Sequence, residues 1–185
     1  MICNKRDEDL IEEVRKHERE INITNRVLTS YLVKINNLSL DDKEHFEVEQ
    51  MISMCSDIER IGDHCENISE NAEQLLKEDV DFKEESKGEL KYISELVLNS
   101  VENAILCVEK KSRELITKAR FIEQQVDDVE ERDKKIQTKR ISNGDSDTIA
   151  GIAYLDTIGN LERIADHANN IADYVENELN GVYTI

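Results

Sequence analysis

Residues 57–68 read DIERIGDHCENI, and residues 160–171 read NLERIADHANNI. Glu59/Glu162, Arg60/Arg163, Ile61/Ile164, Asp63/Asp166, His64/His167, Asn67/Asn170 and Ile68/Ile171 are identical pairs, seven in twelve at an offset of 103. Polar and apolar positions match alike, which shared helical patterning alone would not produce. A weaker echo lies upstream, where Glu18-Arg-Glu-Ile-Asn22 stands against Glu123-Gln-Gln-Val-Asp127 at an offset of 105. Each half of the chain therefore carries the same pair of helices, the mark of internal duplication.

The first block sits inside an apolar stripe, Met51, Met54, Ile58, Ile61, Cys65, Ile68, Ala72 and Leu75, with alternating steps of three and four. That spacing belongs to one buried face of an antiparallel bundle. The same period predicts five helices, over 7–38, 42–78, 83–112, 114–141 and 145–179, the third and fourth nearly continuous. Asn36-Asn37 stops the first, Asp41-Asp42 caps the second, and Ser142-Asn143-Gly144-Asp145 loops into the last. No Pro and only six Gly leave too few turn residues for an all-β chain. The fold expected is all-α: two tandem bundles, an incomplete first copy in residues 1–80 and a three-helix second copy in 81–185. Helix 83–112 opens the second copy, and its counterpart would fall ahead of residue 1. Either the first copy never had that helix or the chain is a piece of a longer protein, and the second is preferred. Stripe ends left uncovered by the absent helix offer a face for a homodimer or for helix swapping.

Charge narrows the partners. The 185 residues carry 42 Asp and Glu against 24 Lys and Arg, a net charge of −18. Such a chain repels phosphate backbones and anionic lipid, so nucleic acid is not expected as a partner and cations are. Cys3, Cys55, Cys65 and Cys107 form no CxxC pair and no zinc spacing, which fits reduced thiols in the cytosol. The longest apolar run, Ile149 to Leu155, is too short to span a bilayer, so no direct membrane insertion of this segment is expected.

Acidic residues four apart share a helix face one turn apart. Glu59/Asp63, Glu162/Asp166 and Glu123/Asp127 each present two carboxylates side by side. Glu59 and Asp63 lie about 120–160° from the centre of their apolar stripe, with Glu66 and Glu70 extending the line. Two neighbouring helices could bring four such groups together, and like charges that close need a cation. All-oxygen donors suit hard ions such as Mg²⁺, Ca²⁺, Mn²⁺ or oxidised iron. The alternative is a solvated acidic face with no metal, on a helical adaptor. His64 and His167 point to the edge of the stripe, as packed histidines bonded across a helix interface would. Asp57 falls close to His64, and Asn160 replaces it in the second copy.

Catalysis is not expected. Glu-x-x-His, the di-iron signature of helical bundles, is absent: Val14, Asp42, Ile61 and Ile164 precede the four histidines by three. HExxH, a phosphate loop and GxSxG are absent too.

The twin blocks, with ExxxD inside a [DN]-[IL]-E-R-I-[GA]-D-H core, resemble the PhoU family of phosphate-uptake regulators. The resemblance covers most of the chain. It implies two tandem three-helix bundles and surface E(D)xxxD motifs that hold multinuclear iron or other metal clusters. Carried over by position, the second copy offers Glu123 and Asp127 with Glu162 and Asp166, for Fe, Mn, Mg, Ca or Zn. The first copy offers Glu18 and Asn22 with Glu59 and Asp63, where the neutral Asn22 departs from the pattern. PhoU-like domains also form the cytoplasmic C-terminal part of bacterial sodium/phosphate cotransporter-family proteins. The resemblance thus implies a non-enzymatic regulator of phosphate uptake. Its partner would be a transporter membrane domain or a phosphate-signalling protein, and its place the cytoplasm, tethered at the inner face of the membrane through the transporter.

Overall fold

The structure, a computed structural model, describes residues 8–181. It contains five helices: α1 (Glu8–Asn36), α2 (Asp42–Lys77), α3 (Glu84–Lys110), α4 (Arg113–Ser142) and α5 (Thr148–Asn180). Several boundaries have a local cause. Asp41 accepts from the Glu44 backbone N–H while the Glu44 side chain accepts from that of Asp41, both at 2.9 Å, which closes a capping box at the start of α2. Asp147 caps α5 by accepting from Ile149 and Ala150, and Gly181 ends it in the left-handed conformation at φ 61°.

The third and fourth helices are not continuous. Lys111 takes the left-handed conformation at φ 46°, its N–H bonds to the Cys107 carbonyl, and the chain turns back through extended Ser112. Buried Asn103 ties the corner by donating to the Leu115 carbonyl at 2.8 Å. The turn lets α3 and α4 pack side by side.

Helices α3, α4 and α5 form a closed three-helix bundle, and α2 lies along α5 on its outside. Among the described residues, helix α1 packs on α2 alone. Leu90, Ile93 and Val97 of α3, Ile122, Val126 and Val129 of α4, and Tyr154, Ile158 and Leu161 of α5 make one core. Leu75 of α2 and Phe82 of the connecting segment join it, Phe82 edge-on to Tyr154 with ring centroids 6.2 Å apart. Each such side chain contributes about 1.5–3 kcal/mol on burial. One polar knot crosses this bundle: Tyr154 donates to Glu89 at 3.0 Å, and Arg140 grips the same carboxylate at 2.7 and 2.9 Å.

The two copies of the repeated block meet where α2 runs along α5, and they exchange partners. His167 bonds Asp57 at 2.7 Å, and His64 bonds Asn160 at 2.8 Å. The rings stack at 5.6 Å between them. Asp57 accepts further bonds from Tyr174 at 2.7 Å and Asn170 at 3.2 Å. The histidines are packed and bonded across a helix interface, as the stripe geometry implies. The nearness of Asp57 to His64 on one helix wheel does not become a bond, because each histidine reaches across to the other repeat.

Candidate metal centre

The acidic pairs of the second repeat lie on neighbouring helices. Residues spaced by four on α4 place Glu123 and Asp127 one turn apart, and α5 does the same for Glu162 and Asp166. Glu123, Asp127 and Asp166 each offer a carboxylate oxygen, all within 4.8 Å of one another. All three are half-buried.

The electrostatics record the crowding. Burial first, then the charges of Asp127 and Asp166, raise the pKa of Glu123. Burial, then Asp166, Asp128 and Glu130, raise that of Asp127. Glu162 is pushed up to about 7, by burial first and then by Asp166 and Asp127, against the opposing charge of Arg163. Basic side chains along α4 pair with other acids, although Lys134 also feels the charge of Glu162. Arg120 holds Asp173 at 2.8 Å and also pairs with Glu176, and Lys134 holds Glu130 at 2.8 Å. Two oxygens complete the picture: Asp127 Oδ1 and Asn169 Oδ1 are buried without a hydrogen-bond donor. Asn169 lies one turn beyond Asp166 on α5. Buried oxygens without donors, beside carboxylates that repel one another, fit a hard cation. Glu123, Asp127 and Asp166 would hold it, with Glu162 beside them.

The first repeat is built differently. Glu18 is buried and accepts a hydrogen bond from the Asn22 amide, so the departure from the acidic pattern turns a prospective ligand into a donor. Glu59 and Asp63 are half-buried, and among the described residues they join no close group of three acids. Glu66, outside the ligand set expected from sequence, stands close to the first-repeat acids. Burial, then Glu18 and Glu70, raise its pKa, with Arg15 opposing and Asp63 adding. The offset of 103 aligns Glu66 with Asn169. Each repeat thus holds four carboxylates and one amide, with the amide in a different place, and this compensation was the available signal for Glu66.

An all-helical, duplicated bundle with a carboxylate cluster on one repeat defines the class of this protein. The sequence model of the PhoU domain family matches residues 2–72 and 90–175. The chain belongs to the PhoU domain family. It is 29% identical over 125 residues to the phosphate-specific transport system accessory protein PhoU homolog 1 of Thermotoga maritima, covering 68% of this chain and 53% of that protein. The chain thus spans about half the length of the curated relative. The crystal structure of PhoU from Pseudomonas aeruginosa superposes with a TM-score of 0.87 at 22% identity, over 95% of this chain and 83% of that one. The phosphate transport system regulatory protein PhoU from Streptococcus pneumoniae gives a TM-score of 0.79 at 24% identity, over 97% and 83%. These likenesses establish the fold. Among the described residues no helix is long and apolar enough to cross a membrane.

Proposed function

We propose that this domain regulates phosphate uptake without catalysing a reaction, acting on a transporter membrane domain or a phosphate-signalling protein at the inner face of the membrane. The carboxylate cluster of Glu123, Asp127 and Asp166 in a PhoU-family bundle carries this reading. The chain's similarity to the Thermotoga protein, named as an accessory protein of a phosphate-specific transport system, supports it. A bound Fe, Mn, Mg, Ca or Zn ion would supply positive charge between α4 and α5. The chain's own part is to hold two helices at the spacing the ion requires and to present a surface whose affinity differs between two states of its partner. Only such a difference shifts a conformational equilibrium.

The test is elemental analysis of protein purified without chelator or metal-affinity resin, beside Asp127→Asn with Asp166→Asn. Metal is expected in the wild type and lost in the variant, with helicity by circular dichroism unchanged. Equal metal in both sinks the assignment. No metal in either, even after loading with Fe and Mn, moves the function to a metal-free adaptor that binds its partner through the acidic surface.

A further inference from the structure

The duplication lets the two ends of the α2–α5 joint be compared residue by residue. At the first end Asp57 of α2 accepts from His167, Asn170 and Tyr174 of α5. At the second end Asn160 of α5 accepts from His64 at 2.8 Å and Asn67 at 3.2 Å on α2. The counterpart of Tyr174 there is Asn71. The phenol closes onto Asp57 at 2.7 Å, whereas the shorter amide makes a long 3.5 Å bond to Thr157. Two more differences enlarge the second end or make it more positive: Gly159 stands where the first end has Ser56, and Lys134 stands where α1 has Thr29.

An open cleft of about 690 Å³ lies at this second end, between α2 and α5, with Lys134 of α4 on its margin. Its floor is bare at Gly159, where an added Cβ meets nothing within 4 Å. Glycine inside a helix is destabilising, and here it leaves room for close approach of a ligand to the backbone. From Ile152 to Arg163 the α5 wall spans about 16 Å, more than a single phosphate needs. The polar groups are sorted along it. Arg163 and Lys134 share one end, close enough for each to feel the other's charge. Asn71, Glu70 and Asp156 share the other, beside Leu155 and exposed Ile152. In a chain of net charge −18, this cleft sets two cations against two carboxylates.

We propose that the cleft binds a nucleoside phosphate, with the phosphate at Arg163 and Lys134 and the nucleoside lying over Gly159 towards Asn71. Arg and Lys donate charge-assisted bonds to phosphate oxygens, and Lys134 would share itself between the ligand and Glu130, which it holds at 2.8 Å. Glu70 and Asp156 accept from sugar hydroxyls. An amide both donates and accepts, as the edge of a base does, and Leu155 and Ile152 offer the base an apolar wall. A bare oxyanion would leave the carboxylate and amide end without a role. The proposal needs no metal at Glu123, Asp127 and Asp166.

The test is titration calorimetry of the chain in chelator with AMP, GMP, CMP and UMP, beside the matching nucleosides and inorganic phosphate. At least one nucleotide is expected to saturate a single site per chain, with its nucleoside and inorganic phosphate each about tenfold or more weaker. Exposed Arg163→Gln should weaken that nucleotide about tenfold. Asn71→Tyr with Asn160→Asp copies the Tyr174–Asp57 pair of the first end and should abolish binding. Gly159→Ser, which copies Ser56, is the second variant; it should weaken binding without lowering the melting temperature. Absence of binding by all four nucleotides overturns the proposal. So does inorganic phosphate that binds as tightly as they do, or nucleotide affinity that is indifferent to Arg163→Gln and to Gly159→Ser.

Discussion

Replacing Glu162 by Gln removes the most strained charge of the cluster, and without metal it should stabilise the protein. An unfolded chain releases the Glu162 proton near 4.5, whereas the folded chain keeps it to about 7. Between those values the folded state binds more protons than the unfolded state, so stability falls as pH rises through the window. The full separation corresponds to about 3 kcal/mol at roughly 1.4 kcal/mol per pH unit. The carboxyl is partly open to water, and screening reduces the usable effect to about 1 kcal/mol. In chelator at pH 8, Glu162→Gln should therefore be more stable than wild type by about 1 kcal/mol, or about 2–4 °C in melting temperature. At pH 4.5 the two should coincide. Glu123 and Asp127 are raised in the same direction, so the variant flattens the pH profile without abolishing it. Urea titrations at five pH values between 4.5 and 8.5 measure the difference directly. A variant less stable than wild type at pH 8 would refute the reasoning, because the carboxylate would then be gaining more from Arg163 than it loses to Asp166 and Asp127.

Two further substitutions probe the scaffold. Asp57→Ala strips the acceptor from His167, Asn170 and Tyr174 and should cost about 2–4 kcal/mol in urea unfolding, while Asp57→Asn, which copies Asn160, should cost less than half as much. Gly88 lies inside α3, and an added Cβ there meets nothing within 4 Å; Gly88→Ala should raise stability by about 0.5–1 kcal/mol, read as a higher urea midpoint at unchanged slope.

Much of the fold was legible because its signals are local. The Asp41-Asp42 cap, Gly144 and the period of the apolar stripes place the helices within a few residues of their observed ends. The corner at Lys111 was not legible, since a lysine in the left-handed conformation looks like any helical lysine, and the hold of Asn103 on it acts across twelve positions. Met51 and Ile58 belong to the stripe, yet they face solvent. Periodicity identifies a face that favours burial and cannot say whether a partner helix lies over it. Of the expected ligands, Glu123, Asp127 and Asp166 converge, with Glu162 beside them, because the repeat fixes their register on adjoining helices. The Asn22 side chain instead turns onto Glu18, and the placement of Glu66 follows only when the two repeats are aligned through the ExxxD block. The crossed histidines depend on how α2 lies against α5, which no single helix wheel contains.

That crossed exchange also breaks a symmetry. Two identical repeats facing each other would leave a two-fold axis through the stacked imidazoles, with indistinguishable ends. Here one end carries a carboxylate–imidazole pair buttressed by Tyr174, and the other carries an amide–imidazole pair. The joint is therefore chemically polar along its length.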